Sequence, residues 1–154
     1  MGESDEHPLD AIDRILVREL VADGRATLAQ LAAVAGLSVS AVQARVRRLE
    51  SRKVVTGYTA RLNPEALGNM LSAFVAITPL DPSQPDDAPA RLEHIREIES
   101  CHSVAGEESY VLLVRVSSAR ALEDLLQRIR TAANVRTRNT IILQTFYTGR
   151  EFIP

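Results

Sequence analysis

Arg45, Arg47, Arg48, Arg52 and Lys53 fall within nine residues, and Ser38, Ser40 and Gln43 lead into them. Guanidinium groups grip phosphates and read guanine edges, and a Gln amide suits adenine. A helix starting at Ser38 would also offer its N-terminal amides to a phosphate. In this reading Ser38, Ser40, Gln43, Arg45 and Arg47 enter the major groove or hold flanking phosphates. Arg48, Arg52 and Lys53 lie nearer the backbone. Residues 25–61 carry seven Lys and Arg against one acid, whereas residues 1–24 carry two basic and seven acidic residues. The formal net charge of −2 therefore hides a local basic patch of the kind a DNA-binding surface needs. The same cations alone would also fit a solvated helix face. The segment in front of them decides for DNA, because it reads as a capped helix, a glycine turn and a second helix in apolar register.

A second set is Val104, Gly106, Glu107, Glu108 and Tyr110, in the segment Val-Ala-Gly-Glu-Glu-Ser-Tyr. A glycine between two strands brings backbone amides within reach of a carboxylate, and a glutamate suits an ammonium group. Together they fit a zwitterionic amino acid. An ordinary hairpin turn with solvated glutamates fits the same residues. Cys101 and His102 are adjacent, but His7 and His94 have no ligand spacing to them, so no metal site is expected. No phosphate-binding glycine loop, nucleophile elbow or paired-carboxylate motif occurs, and no cofactor or enzymatic activity is expected.

The elements that would position these residues follow from periodicity. A first helix is predicted from about Asp10 to Asp23, with Ile12, Ile15, Leu16 and Leu20 on its apolar face, Asp10 as N-cap and Gly24 as stop. A second begins at Thr27, where Gln30 completes a capping box, and buries Leu28, Leu31, Ala32 and Ala35. Gly36 ends it, Leu37 packs under the turn and Ser38 caps the third helix. The third helix turns Val39, Val42, Val46 and Leu49 inward and leaves Ser40, Gln43, Ala44, Arg45, Arg47 and Arg48 outside.

Residues 54–64 shift towards a period of two and read as a short strand or wing, then a linker ending at Asn63-Pro64. Beyond it, residues 71–80 read as a strand and residues 81–89 as a Pro- and Asp-rich loop. Residues 90–99 read as a helix with Leu92, Ile95 and Ile98 inward. Residues 101–106 and 110–117 are the next strands. Ser118 caps a helix to about Ala133, with Leu122, Leu125, Leu126 and Ile129 inward, and residues 140–149 form the last strand. The fold class is α+β: a helix-turn-helix, winged-helix-like domain followed by a βαββαβ ferredoxin-like domain with two helices on one face of an antiparallel sheet. The boundaries read 1–53 for the helix-turn-helix domain, 54–68 for the strand and linker, and 69–154 for an effector-binding and oligomerisation domain. Phe74, Ala76, Val111, Leu113, Ile142 and Gln144 are candidates for the opposite sheet face, which a second copy of the chain would cover. Residues 1–7 are expected to be disordered.

Hydrophobic content of 45% and charged content of 25% are ordinary for a globular protein. No apolar run approaches the ~20 residues a membrane span needs. The acidic start MGESDEHPLD lacks the features of a signal peptide, and the single cysteine permits no intrachain disulfide. A cytoplasmic location is expected.

Three segments carry a family resemblance: LDAIDRILVRELVADGRATLAQLAAVAGLS, VQARVRRLESRKVVTGYTARLNP and ESCHSVAGEESYVLLVRV. In this order they resemble the Lrp/AsnC, or feast/famine, transcription regulators of bacteria and archaea, actinobacterial members above all, over Leu9 to about Phe152. The resemblance implies an N-terminal DNA-binding domain and a βαββαβ domain that binds an amino acid effector near the contact between dimers. It also implies homodimers that assemble into tetramers or octamers. The family's Gly-Asp-x-Asp-Tyr segment corresponds to Gly106, Glu107, Glu108, Ser109 and Tyr110, with Ser109 in place of the second acid. The family's Thr-Arg-Thr segment corresponds to Arg138, Asn139 and Thr140, which adds Thr140 to the implied effector site and loses the arginine. The function expected is a sequence-specific regulator that binds double-stranded DNA in response to an amino acid. An architectural DNA-compacting protein without an effector is the alternative, and an amino acid sensor or enzyme without DNA binding is a third reading.

Overall fold

The computed structural model describes residues 9–81, 83 and 87–149. The expected disorder of residues 1–7 and part of the Pro- and Asp-rich loop lie outside the described residues. Contacts group the chain into two compact units: one reaches Arg61 and includes the segment from Tyr147, and the other spans Leu62–Phe146.

Three helices build the first unit: α1 (Ala11–Ala22), α2 (Leu28–Ala35) and α3 (Val39–Ser51). Each starts where a side chain satisfies an orphan amide. Asp10 Oδ1 accepts from the Asp13 N–H at 2.7 Å. Thr27 Oγ1 accepts from the Gln30 N–H at 3.2 Å while Gln30 Oε1 accepts from the Thr27 N–H at 2.8 Å, closing the capping box. Ser38 Oγ accepts from the Ala41 N–H at 3.2 Å. Gly36 takes φ 65° between α2 and α3, a left-handed turn that a side chain would strain. The two helices bend by 101° across it, the angle of a helix-turn-helix. Leu16, Leu31, Ala32, Ala35, Val42, Val46 and Leu49 form the core, with Leu28 and Leu37 packed against it.

Three expectations for this unit need correction. Gly24 does not stop α1 in a left-handed conformation; Asp23 is the C-cap, at φ −140°. Val39 is not part of the inner stripe and remains 48% exposed. It occupies the first position of α3, one turn ahead of Val42, where the chain has only just left the turn and no core side chain covers it. Residues 54–64 form no strand among the described residues. Lys53, at φ 59°, turns the chain out of α3, and Tyr58 ties the following segment back to the helix by donating to Glu50 at 2.9 Å.

The second unit is a four-stranded antiparallel sheet: β1 (Leu71–Pro79), β2 (Ile98–Ser103), β3 (Tyr110–Val116) and β4 (Val135–Ile142), in the order β2-β3-β1-β4. With α4 (Ala88–Leu92) and α5 (Ala119–Ala133) between strands, the chain order is βαββαβ, the ferredoxin-like arrangement. Ala73, Val75 and Ile77 alternate inward along β1 and meet Leu112 and Val114 of β3 and Leu122, Leu125, Leu126 and Ile129 of α5. Phe74 and Ala76 point the other way, opposite Leu113 and Val111.

Here the predicted boundaries shift. The helix at residues 90–99 shrinks to Ala88–Leu92, and Ile98 and Glu99 instead open β2, with a bulge between Ile98 and Ser100. The last strand starts at Val135, because Asn134 adopts φ 53° at the end of α5 and turns the chain straight into pairing with Pro79. It ends at Ile142, so Gln144 lies beyond the sheet. Among the described residues no single helix is long and apolar enough to cross a membrane.

Leu49 of α3 is fully buried in the core shared by the three helices of the first unit. Leu49→Ala should cost about 2–5 kcal/mol of stability, read as a lower urea midpoint. A loss below roughly 0.5 kcal/mol would show that the site is not packed as described.

Candidate functional site

The outward face of α3 is not the uniform row of free cations that its sequence suggests. Asp13, on the first turn of α1, is 1% exposed and is the buried charge among the described residues. Arg45 Nη1 donates to Asp13 Oδ1 at 2.8 Å and to Asp10 Oδ2 at 2.6 Å. Arg48 Nη2 donates to Asp13 Oδ2 at 2.8 Å. Two guanidinium groups thus clamp α3 to α1. A buried carboxylate is costly unless each oxygen is paired, and here each is. The helix dipole adds to this, because Asp13 lies at the N-terminal end of α1. Arg45 is therefore drawn in, at 27% exposed, while Arg48 stays 49% exposed on the outside of α3 as expected although it is tied to Asp13. The same contacts raise the Arg45 pKa, with Asp10 the larger influence and Asp13 next.

The rest of the predicted DNA-facing set is distributed as follows. Ser38 and Ser40 are exposed, and their hydroxyls lie 3.1 Å apart in a mutual hydrogen bond. Gln43 is half-buried and Arg47 exposed. Among the described residues neither has a hydrogen-bond or ion-pair partner. Arg52 is the C-cap of α3, half-buried and engaged. Asp10 and Asp13 are the functional residues missed from the sequence. They were missed because the partners lie more than thirty residues apart in the chain, and nothing within either helix alone pairs them.

In the second unit, the Val104 N–H donates to the Ser109 carbonyl at 3.1 Å and the Ser109 N–H to the Ile77 carbonyl at 3.0 Å. These bonds hold the ends of the turn that carries Gly106, Glu107 and Glu108. Gly106 has no positive φ, and a Cβ built on it would meet nothing within 4 Å. Nothing within this chain requires glycine there. Glu107 is exposed, while Glu108 is largely covered and accepts a hydrogen bond from Arg138 of β4. Tyr110 pairs with Ile77 and Thr140 with Phe74, so the two stand on opposite sheet faces. The structure does not bring Tyr110 and Thr140 together. It brings Arg138 to Glu108 instead, on the face that also carries Thr140. Arg138 was missed because β4 was expected to start only at residue 140. Two open grooves of roughly 350 and 390 Å³ lie elsewhere in this unit, beside His94 and Arg128 and beside Leu92 and Cys101.

Cys101 and His102 point to opposite sides of β2, opposite Leu112 and Val111. Burial pushes the Cys101 thiol up, the reverse of thiolate activation. Among the described residues no group of three His, Cys, Asp or Glu is placed to hold a metal ion.

The clamp has a pH signature. The Arg45 guanidinium beside Asp10, helped by the Asp13 amide, holds the Asp10 carboxyl below its usual range. A depressed carboxyl adds stability above the unfolded pKa, and that stability is lost as pH falls through the folded one. Asp10 is 47% exposed, so solvent screening limits the effect. Asp10→Asn should therefore make the fall in stability from neutral pH to about pH 3 shallower, by less than about 1 kcal/mol, in urea titrations. An unchanged acid limb would show that the Asp10 contact adds nothing.

Comparison with known proteins agrees with this geometry. The AsnC-type helix-turn-helix domain matches residues 9–50, and the Lrp/AsnC ligand binding domain matches residues 72–152. The chain is 83% identical to the HTH-type transcriptional regulator LrpA of Mycobacterium tuberculosis over 146 residues, 95% of this chain and 97% of that protein. It is 40% identical to the leucine-responsive regulatory protein of Salmonella typhimurium, over 82% of this chain and 80% of that one. A solved feast or famine regulatory protein from M. tuberculosis, complexed with L-methionine, superimposes with a TM-score of 0.94 at 82% identity, covering 96% of this chain and 100% of its own. With both domains matched in order, and both built as that order requires, the chain belongs to the Lrp/AsnC family of transcriptional regulators.

Proposed function

We propose that this chain is a sequence-specific DNA-binding regulator whose grip on DNA, or assembly state, responds to an amino acid. The observation that carries the DNA half is the outward face of α3. Gln43 and Arg47 have no partner among the described residues and lie on a helix fixed by the Ser38 cap and the buried clamp, so their direction is set before DNA arrives. Residues 1–53 would dock on DNA, residues 54–68 link, and residues 69–154 bind effector and oligomerise. Ser38, Ser40, Gln43 and Arg47 form the groove-facing set, while Arg45 and Arg48 hold α3 in place through Asp10 and Asp13 and Arg52 caps its end.

The effector half draws on Glu108 and Arg138. They form an ion pair at the edge of the turn, with Glu108 20% and Arg138 72% exposed. A zwitterion carries both charges, so it can replace each partner for the other: its ammonium meets Glu108 or Glu107, and its carboxylate meets Arg138 and the amides near Gly106. Val104, Tyr110 and Thr140 would border this site from different sides. An open approach to Gly106 leaves room for a ligand or a neighbouring subunit against the backbone. The L-methionine complex of the solved relative makes that amino acid the first to try.

Homodimers, and tetramers or octamers of them, fit the outer sheet face. Phe74 is 47% exposed there among the half-buried Ala76, Val111, Leu113 and Ile142. A dimer would place two α3 helices on half-sites one helical turn, or a multiple, apart. The effector can act only through different affinities for the assembly states. A cytoplasmic, non-enzymatic role follows from this reading.

The test is binding of the purified protein to the DNA upstream of its own gene, with a random duplex as competitor, across a salt series and with a panel of amino acids that includes L-methionine. The regulator reading requires a preference of ~10³ or more for the upstream DNA, altered by one class of amino acid. Equal, salt-sensitive binding indifferent to every amino acid would establish the architectural alternative. Gly106→Val should keep the DNA preference and lose the response. A normal response in that variant would remove the turn from the site.

A further inference from the structure

The exposed Val39 raises a question that the clamp sharpens. A single exposed valine is unremarkable on a protein surface. This one opens α3, and the N-terminal residues of a recognition helix are those that meet base edges. At helical spacing Gln43 follows Val39 at i+4, Ser40 and Arg47 lie at i−3 and i+4 from Gln43, and Ala44 lies at i+4 from Ser40. Arg45 and Arg48 are drawn off to Asp10 and Asp13, and the Ser38 and Ser40 hydroxyls bond each other. What remains at the tip is a branched apolar side chain, a methyl and one amide without a partner among the described residues.

In the major groove the apolar feature of a base edge is the thymine C5-methyl, and a Gln amide bonds bidentately to adenine N6 and N7. Both preferences select the same base pair. Guanine readout would need a guanidinium at the tip, and the open one, Arg47, lies two turns further along α3. We propose that Val39 packs on a thymine methyl and Gln43 reads the adenine of an adjoining A·T pair, so that an A·T step is the core of the sequence this protein selects. The proposal rests on the reading that α3 enters the major groove, and its test separates the two.

Duplexes are first selected from a random pool with the full-length protein. The best selected duplex is then made with thymidine or with deoxyuridine, which differs only by the methyl. Affinity is measured for the wild-type protein and for Val39→Ser, a change at an exposed position outside the core. Burying one methyl-sized group converts to about fourfold in affinity. The wild type should therefore bind the deoxyuridine duplex about fourfold more weakly for each α3 engaged. Val39→Ser should bind the thymidine duplex more weakly by the same factor and bind both duplexes alike. Equal wild-type affinity for the two duplexes would overturn the proposal, as would a full thymidine-to-deoxyuridine loss retained in Val39→Ser. Selected sites without an A·T step would also overturn it while leaving groove binding intact. A pool that yields no enrichment at all would overturn the groove-reading premise itself.

Discussion

The first unit depends on one buried carboxylate. Asp13 is inaccessible to water, yet both of its oxygens are met by guanidinium groups from another helix. Removing one partner from such a cluster leaves a charge stranded, which makes the geometry hard to deform. The consequence is directional. α3 is held to α1 on one side by Asp13 and by the apolar stripe of Val42, Val46 and Leu49. The side that remains, from Val39 through Gln43 to Arg47, is therefore held in one orientation. The clamp also divides the basic helix: Arg45 and Arg48 are bound to Asp13, while Arg47 has no partner among the described residues.

The second unit solves a different problem. A sheet with helices on one side must find a use for the other. Ala73, Val75 and Ile77 alternate with Phe74 and Ala76 along β1, so one strand serves two surfaces. The edge strand β4 completes the outer face and carries Arg138 and Thr140 at alternate positions. Arg138 reaches Glu108 from there, which joins the turn after β2 to the far edge of the sheet by a charged hydrogen bond. An effector that competes for that pair acts on the edge and the turn at once.

Much of this was legible in the sequence. The capping box at Thr27 and Gln30, the left-handed Gly36 and the stripe from Val42 to Leu49 are local, so their residue types report them directly. The βαββαβ order was legible too, because Leu122, Leu125, Leu126 and Ile129 repeat at helical spacing against strands that alternate. The failures were of other kinds. β4 begins directly at the end of α5, and Arg136, Arg138 and Asn139 interrupt its apolar pattern, so its start was placed at residue 140 although Val135 and Thr137 are β-branched. Val39 has the right spacing for the core but lies one turn ahead of where the core begins. Asp13 with Arg45 and Arg48 spans more than thirty residues of chain, and periodicity within a single helix carries no trace of such a pair.

The central claim is that the clamp divides the arginines of α3 into structural and DNA-facing groups, and salt dependence measures that division directly. The slope of log affinity against log salt should be compared for Arg47→Ala and Arg45→Ala on one duplex. Arg47→Ala should flatten the slope by roughly 1 for each helix bound, the loss of one phosphate contact. Arg45→Ala should leave the slope nearly unchanged and lower thermal stability instead. A slope that flattens equally in both variants would contradict the division, because Arg45 would then serve DNA and not Asp13.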